Sequence, residues 1–252
     1  MILPPAEMTP PPFTHPIEVA LAANNVLRTL SSAQREKFAT EASLADYAKG
    51  ELLYRENDPA KDGWAIVRGE IKVVKQSRRG PPLTIEIIIP GEICGAHCYS
   101  GEGNYLFAAR AMEATAAIKF SISLLEEFSR SNGRLLRVLM RDACRRLYHA
   151  QHMRSIAGED VAGRIACALV YLQDKFGDEI PHSRRTLAEL AGTTVESAIR
   201  ATKKLRDAGI VETRRNHMRI LSSSRLKAFA HKTGPALSGS SQVRSPKILR
   251  PL

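Results

Sequence analysis

Between Ile17 and Ala42 apolar residues recur at helical spacing in two short stretches, Ile17 to Leu30 and Ser32 to Ala42. The period then changes to two. Trp64-Ala65-Ile66-Val67-Arg68 and Ile71-Lys72-Val73-Val74-Lys75 read as strands around a Gly69-Glu70 turn, and Leu83, Ile85, Ile87 and Ile89 alternate with Thr84 and Glu86. Asn57-Asp58-Pro59, Lys61-Asp62-Gly63 and the stretch from Ser77 to Pro82 separate these runs. Short strands at this spacing predict a small antiparallel roll or barrel, whose last strand closes at Pro90-Gly91-Glu92. Helical periodicity returns as one long helix, roughly Leu124 to Ile156. Within it Leu136, Met140, Ala143, Leu147 and Ala150 are spaced 4-3-4-3, a heptad seam. A helix this long in a small chain points to a parallel dimer; the alternative is a helix packed wholly within its own protomer.

Gly158 then offers a hinge, and Val161, Ile165, Leu169, Leu172 and Phe176 line one face of a further helix. The next segment, from Pro181 to Arg219, is the most informative. Leu187, Leu190 and Ala191 share a helix face, and Gly192 provides a turn that needs positive φ. Thr193 is placed to cap a second helix, with Glu196 three residues on, and Val195, Ala198, Ile199, Thr202 and Leu205 give that helix its apolar periodicity. Gly209 stops it. Ile210-Val211 and Met218-Arg219-Ile220 flank a polar Arg214-Arg215-Asn216-His217 tip. The pattern is a winged helix-turn-helix, whose second helix suits a DNA major groove.

Charge agrees with this reading. The chain carries 37 Lys and Arg against 26 Asp and Glu. Residues 1–183 are balanced at 22 of each, residues 184–227 hold 11 basic and 4 acidic side chains, and 231–252 hold 4 basic and no acidic ones. The excess therefore sits on and after the helix-turn-helix, where phosphates of double-stranded DNA would release counterions. A solvated basic face is the bland alternative. No run approaches the 18 apolar residues of a membrane span, and the proline-rich start lacks the basic and apolar blocks of a signal peptide. Four cysteines in 252 residues do not suggest an extracellular disulfide framework. These features point to the bacterial cytoplasm and to no membrane partner. The expected organisation is a proline-rich arm (1–16), a β-roll sensor domain (17–123), a dimerisation helix (124–157), a winged helix-turn-helix (158–230) and a basic tail (231–252), an α+β architecture.

The strand motif G-W-A-I-V-R-G-E-I-K-V, the P-G-E corner, the long helix and T-V-E-S-A-I-R together resemble the cyclic-AMP receptor/fumarate-nitrate regulator (CRP/FNR) family, over roughly Asn25 to Ala230. The resemblance implies a jelly-roll-like sensor domain, a homodimer, an inverted-repeat DNA site with TGA-type half-sites, and RNA polymerase as a partner. It also implies base reading by Glu196 and Arg200, with Val195 beside them. Residues four apart share a helix face, Arg can donate twice to guanine, and Glu can accept from cytosine N4. Two alternatives stand beside this: Glu196 as a capping-box residue and Arg200 as a phosphate contact. Phosphate and wing contacts fall to Arg184, Arg185, Thr194, Ser197, Lys203, Lys204, Arg214 and Arg215.

Cyclic-nucleotide-binding relatives clamp the phosphate with an Arg-Ser or Arg-Thr pair, and Tyr105 and Leu106 stand at those positions here. The signal is therefore expected to differ from cyclic AMP; a cyclic-nucleotide-responsive regulator and an effector-independent one with a structural sensor domain are the alternatives. An N-terminal cysteine cluster for iron–sulfur is missing too, since no cysteine precedes Cys94. The sensor loop instead reads Ile93-Cys94-Gly95-Ala96-His97-Cys98-Tyr99. His97 falls six residues after Gly91, where carbon-monoxide-sensing members carry a haem ligand. Cys94, His97 and Cys98, with Cys144, are candidates for an iron–sulfur cluster or another metal, although C-x3-C is weak metal spacing. Thiol oxidation is a third route if a thiolate is exposed and of low pKa. A purely structural loop remains open, and Cys167 reads as core. An enzyme using this loop would need an orienting carboxylate, an oxyanion pattern or a cofactor fingerprint, and none accompanies it.

Overall fold

The computed structural model describes residues 16–77, 82–95 and 103–232. The proline-rich arm, His97, Cys98 and the tail beyond 232 lie outside the described residues. The chain opens with α1 (Pro16–Ala23), a 3-10 turn (Leu27–Thr29) and α2 (Ser32–Glu41), followed by eight strands. These are β1 (Ser43–Tyr47), β2 (Leu52–Tyr54), β3 (Asp62–Arg68), β4 (Ile71–Lys75), β5 (Leu83–Ile88), β6 (Ile93–Cys94), β7 (Ala108–Ala111) and β8 (Thr115–Ser121). They form two antiparallel four-stranded sheets, in the orders β1-β8-β3-β6 and β2-β7-β4-β5. The period-2 reading holds for β3 and β4, whose alternate side chains meet in one core: Trp64 and Ile66 from β3, Ile71 and Val73 from β4. It fails for β5, where a register shift opposite Val73 and Val74 leaves Leu83 exposed and Thr84 buried and turns Ile88, not Ile87, into that core. Tyr54, Trp64 and Tyr105 stack in it, with the Tyr54 and Tyr105 ring centroids 3.8 Å apart. A second core joins Leu21, Leu27 and Phe38 of the N-terminal helices to Ile118 and Phe120 of β8 and to Leu125 and Leu135 beyond it.

The single long helix expected from 124 to 156 is in fact two, α3 (Ile122–Ser131) and α4 (Gly133–Ser155). Asn132 breaks it, at φ −121° and ψ 87°. Its Oδ1 accepts from Leu135 N at 3.0 Å and so caps α4, while its Nδ2 donates to Thr29 O and Gln34 Oε1. An Asn side chain competes for backbone groups in this way, and the following glycine does little to hold a helix together. The heptad pattern begins only after this break. Leu136, Met140, Ala143, Leu147 and Ala150 are all exposed on α4, Met140 at 59% and Leu147 at 58%. Packing within the protomer, the alternative for this helix, does not cover the seam.

The C-terminal unit comprises α5 (Val161–Phe176), β9 (Glu179–Ile180), α6 (Arg184–Leu190), α7 (Val195–Asp207), β10 (Val211–Arg214), β11 (His217–Ile220) and α8 (Ser223–Lys232). Ile165, Leu169 and Leu172 are fully buried, with Val161 and Phe176 at the edges of the same core. Ile87 of β5 also belongs to this core, so the roll and the C-terminal unit pack as neighbours. β5 is an edge strand, and its outer peptide groups need partners. Tyr171 of α5 supplies them: its hydroxyl accepts from Ile87 N at 3.0 Å and donates to Ile87 O at 3.3 Å.

Ion pairs reinforce this boundary. Glu189 of α6 accepts from Lys72 Nζ at 2.7 Å and Thr84 Oγ1 at 3.0 Å. Lys175 of α5 reaches both carboxylate oxygens of Glu92, at 2.8 and 2.6 Å. From α4, Arg145 contacts Glu92 and Asp142, and Arg146 contacts Asp142, Glu86 and Ile93 O. Burial would raise the Glu92 carboxyl, but Lys175, Arg145 and the Ile89 N–H hold it below its ordinary value.

Candidate nucleic-acid interface

The turn between α6 and α7 is built from residues whose chemistry requires it. Ser183 caps α6 by accepting from Thr186 N, and Arg164 Nε donates to Ala191 O at the far end. Gly192 has φ +58° and Gly209, closing α7, has φ +64°, values that glycine adopts without a Cβ penalty. The cap of α7 is Thr194 rather than Thr193: its Oγ1 accepts from Ser197 N at 3.2 Å. Ser197 therefore occupies the third helical position. Glu196 falls one short of it, so the capping-box alternative for that residue does not apply. Glu196 lies exposed, its carboxyl held below the ordinary value by its own backbone N–H and the Thr194 hydroxyl.

Helix α7 is anchored by Ala198, Ala201, Thr202 and Leu205, all buried. The Thr202 hydroxyl is satisfied at Ala198 O, 2.9 Å away. The opposite side carries Glu196, Arg200, Lys203 and Lys204, all exposed. The Arg200 guanidinium donates to Ser197 Oγ at 2.9 Å, which aligns it along the helix. Val195 is half-buried and packs against the core, so it offers only part of its surface outward. Ile199 corrects the periodicity reading, which put it on the buried face: it is 47% exposed. At about 100° per residue the four anchoring residues centre a face from which Ile199 is turned away. Counting every apolar residue as core hid this; resolving the angle would have revealed it.

Around α7 stand the other basic groups. Arg185 is exposed and Arg184 half-buried on α6. The wing sheet has order β10-β11-β9, with Arg214 opposite His217 and Arg215-Asn216 as the connection. Asn216 takes φ +54°, a left-handed conformation asparagine tolerates. The Glu179 carboxylate of β9 lies 3.1 Å from His217 Nε2 and 3.0 Å from Arg219 Nε, bracing the wing. This third strand and its carboxylate were not foreseen; two residues are too few to show a period.

Of the candidate sensor residues, the structure describes Cys94 and Cys144. Cys94 is fully buried, paired with Trp64 across β6 and β3, and in contact with the Tyr54 hydroxyl. Burial pushes its thiol up to about 12, which opposes both oxidation and metal ligation. A thiol so placed fits the structural alternative for this loop rather than an exposed thiolate of low pKa. Cys144 is exposed on α4, and Cys167 is buried as expected. Among the described residues no group of three or more His, Cys, Asp and Glu side chains could hold a metal. Tyr105 lies in the aromatic core, its hydroxyl donating to Asp62 O at 2.6 Å, and Leu106 is 65% exposed. No helix among the described residues is long and apolar enough to cross a membrane.

Comparison with known proteins meets this geometry in both halves. Residues 44–132 match the cyclic nucleotide-binding domain and residues 163–229 the Crp-like helix-turn-helix domain. The transcriptional activator protein anr of Pseudomonas aeruginosa is 27% identical over 191 residues, covering 72% of this chain and 78% of that protein. The nitrogen fixation regulation protein FixK of Bradyrhizobium diazoefficiens is 22% identical, covering 84% and 92%. Among solved structures, FixK2 from Bradyrhizobium japonicum superposes with a TM-score of 0.67 at 23% identity, over 77% of this chain and 98% of that one. An exposed, N-capped helix on the far side of a Crp-like core, joined to a double-sheeted roll through a helix with an open heptad seam, makes this chain a DNA-binding transcriptional regulator of the CRP/FNR family, not an enzyme.

Proposed function

We propose that the protein acts as a homodimer that reads an inverted repeat of TGA-type half-sites and regulates transcription with RNA polymerase, in response to a signal other than cyclic AMP. The observation that carries this reading is α7, which presents Glu196 and Arg200 outward with Lys203 and Lys204 beside them, on a helix fixed by four buried residues. Arg200 reads guanine and Glu196 accepts from cytosine, the pairings their donor and acceptor geometry favours. Lys203, Arg214 and Arg215 supply phosphate contacts, which set register without reading sequence. The exposed apolar seam of α4 supports a two-fold dimer, and such a dimer places its half-sites about one helical turn apart. Tyr105 and Leu106 support the exclusion of cyclic AMP, because neither offers the phosphate a charge.

The experiment is selection from a random DNA library followed by salt-dependent binding. Wild type enriches an inverted repeat. Glu196→Ala and Arg200→Ala each relax one or two positions, at about 1–3 kcal/mol of lost discrimination. Arg215→Ala weakens all sequences alike and lowers the salt slope by about one. An unchanged motif for both helix variants would remove the base-reading assignment.

A further inference from the structure

Resting on that DNA-reading role, we infer that Ile199 reads the C5 methyl of a thymine adjacent to the pairs faced by Glu196 and Arg200. A β-branched apolar side chain left 47% exposed loses hydrophobic stabilisation in the free protein. Ile199 and Leu221 are the large apolar side chains with such exposure in the C-terminal unit among the described residues, and only Ile199 is on α7. Its position on the helix selects what it can meet. It lies one turn after Val195 and one turn before Lys203, and about 60° around the axis from Glu196. Val195 and Ile199 thus form an apolar strip along one flank of the polar strip made by Glu196, Arg200 and Lys203.

The major-groove edge of DNA offers one methyl group, that of thymine, beside its hydrogen-bonding atoms. Ile199 can neither donate nor accept through its side chain. In the groove it can discriminate only by burying that methyl or by excluding a polar edge. The cations along its polar flank, Arg200, Lys203 and Lys204, make the face complementary to DNA rather than to an apolar protein partner. Thymine is therefore the occupant that fits both the apolar strip and its charged border.

The test separates the methyl from every other property of the base pair. The site selected by wild type is synthesised with each thymine of the half-site replaced in turn by deoxyuridine, which keeps pairing and hydrogen bonds and removes only the methyl. Affinities are measured for wild type and for Ile199→Ala, an exposed and helix-compatible change. One position in each half-site is expected to weaken wild type about fourfold per half-site, as burial of one methyl-sized group does, and to leave Ile199→Ala unaffected. Three results overturn the inference while leaving base reading intact: a selected half-site without thymine, deoxyuridine neutral at every position, or an equal loss in wild type and Ile199→Ala. A wild type that enriches no motif overturns both readings together.

Discussion

Lys175→Met tests the boundary between the roll and the DNA-binding unit. Lys175 Nζ reaches both oxygens of Glu92 at 2.8 and 2.6 Å, and the two side chains are only 6% and 8% exposed. Removing one partner of a buried ion pair costs about 3–5 kcal/mol, because the other charge stays buried without compensation. Here Glu92 keeps Arg145 at 3.2 Å and the Ile89 N–H at 3.2 Å, so the low end, about 3 kcal/mol, is expected. The loss should also depend on pH. In the wild type the Glu92 carboxyl titrates below its ordinary value, so its stabilisation is present above about pH 4.5 and fades as pH falls through the lowered value. Without Lys175 burial is less opposed and the carboxyl shifts upward. It then takes up a proton at higher pH, and the difference between variant and wild type shrinks toward pH 5. Urea denaturation at pH 7.5 and pH 5, at one fixed protomer concentration, measures both effects. Lys175→Met/Glu92→Leu should recover much of the loss, as apolar replacement of a buried pair does. A loss under 1 kcal/mol at pH 7.5, or no recovery in the double variant, would refute the reasoning.

Other consequences are equally open to measurement. Leu147→Glu on the exposed seam should convert dimer to monomer in sedimentation, since lost burial of two leucines per dimer at about 1.5–3 kcal/mol each raises the dissociation constant more than a hundredfold; an unchanged dimer would move the interface elsewhere. Cyclic AMP should give no binding heat at micromolar concentration, because its phosphate would lack a charged partner at Tyr105 and Leu106, a cost of several kcal/mol; micromolar affinity by calorimetry would reverse the proposal. Acid should destabilise the fold between about pH 6.5 and pH 4. Burial holds His149 and His182 near 4, helped at His149 by His152, Lys175 and Arg145, so the unfolded chain binds more protons in this window. Glu70, raised to about 7 by burial and by Glu113, acts oppositely as pH rises from its ordinary 4.5. His149→Phe should flatten the acid limb, and an identical acid slope would assign that limb to other groups.

The sequence by itself determined what local period and local chemistry can specify. The strands Trp64 to Arg68 and Ile71 to Lys75, the Gly192 turn, the Gly209 stop and the basic character of the last third were legible because each is set by neighbours a few residues apart. The heptad spacing along α4 was legible for the same reason. Tertiary structure decided what depends on distant partners. Asn132 ends one helix and caps the next because Thr29 and Gln34 await its amide, more than 90 residues away. Cys94 stands in a short motif with His97 and Cys98 and looked like sensing chemistry, yet the strand pairing that sets it opposite Trp64 puts its thiol in the aromatic core. Glu189 and Lys175 look like ordinary helix-surface charges until the roll brings Lys72, Thr84 and Glu92 against them. Ile199 is the converse case. Periodicity placed it in the core, but the core's small footprint, with alanines at 198 and 201, leaves it exposed on α7. A one-dimensional pattern reports which residues are apolar, whereas only the packed partners decide which of them are covered.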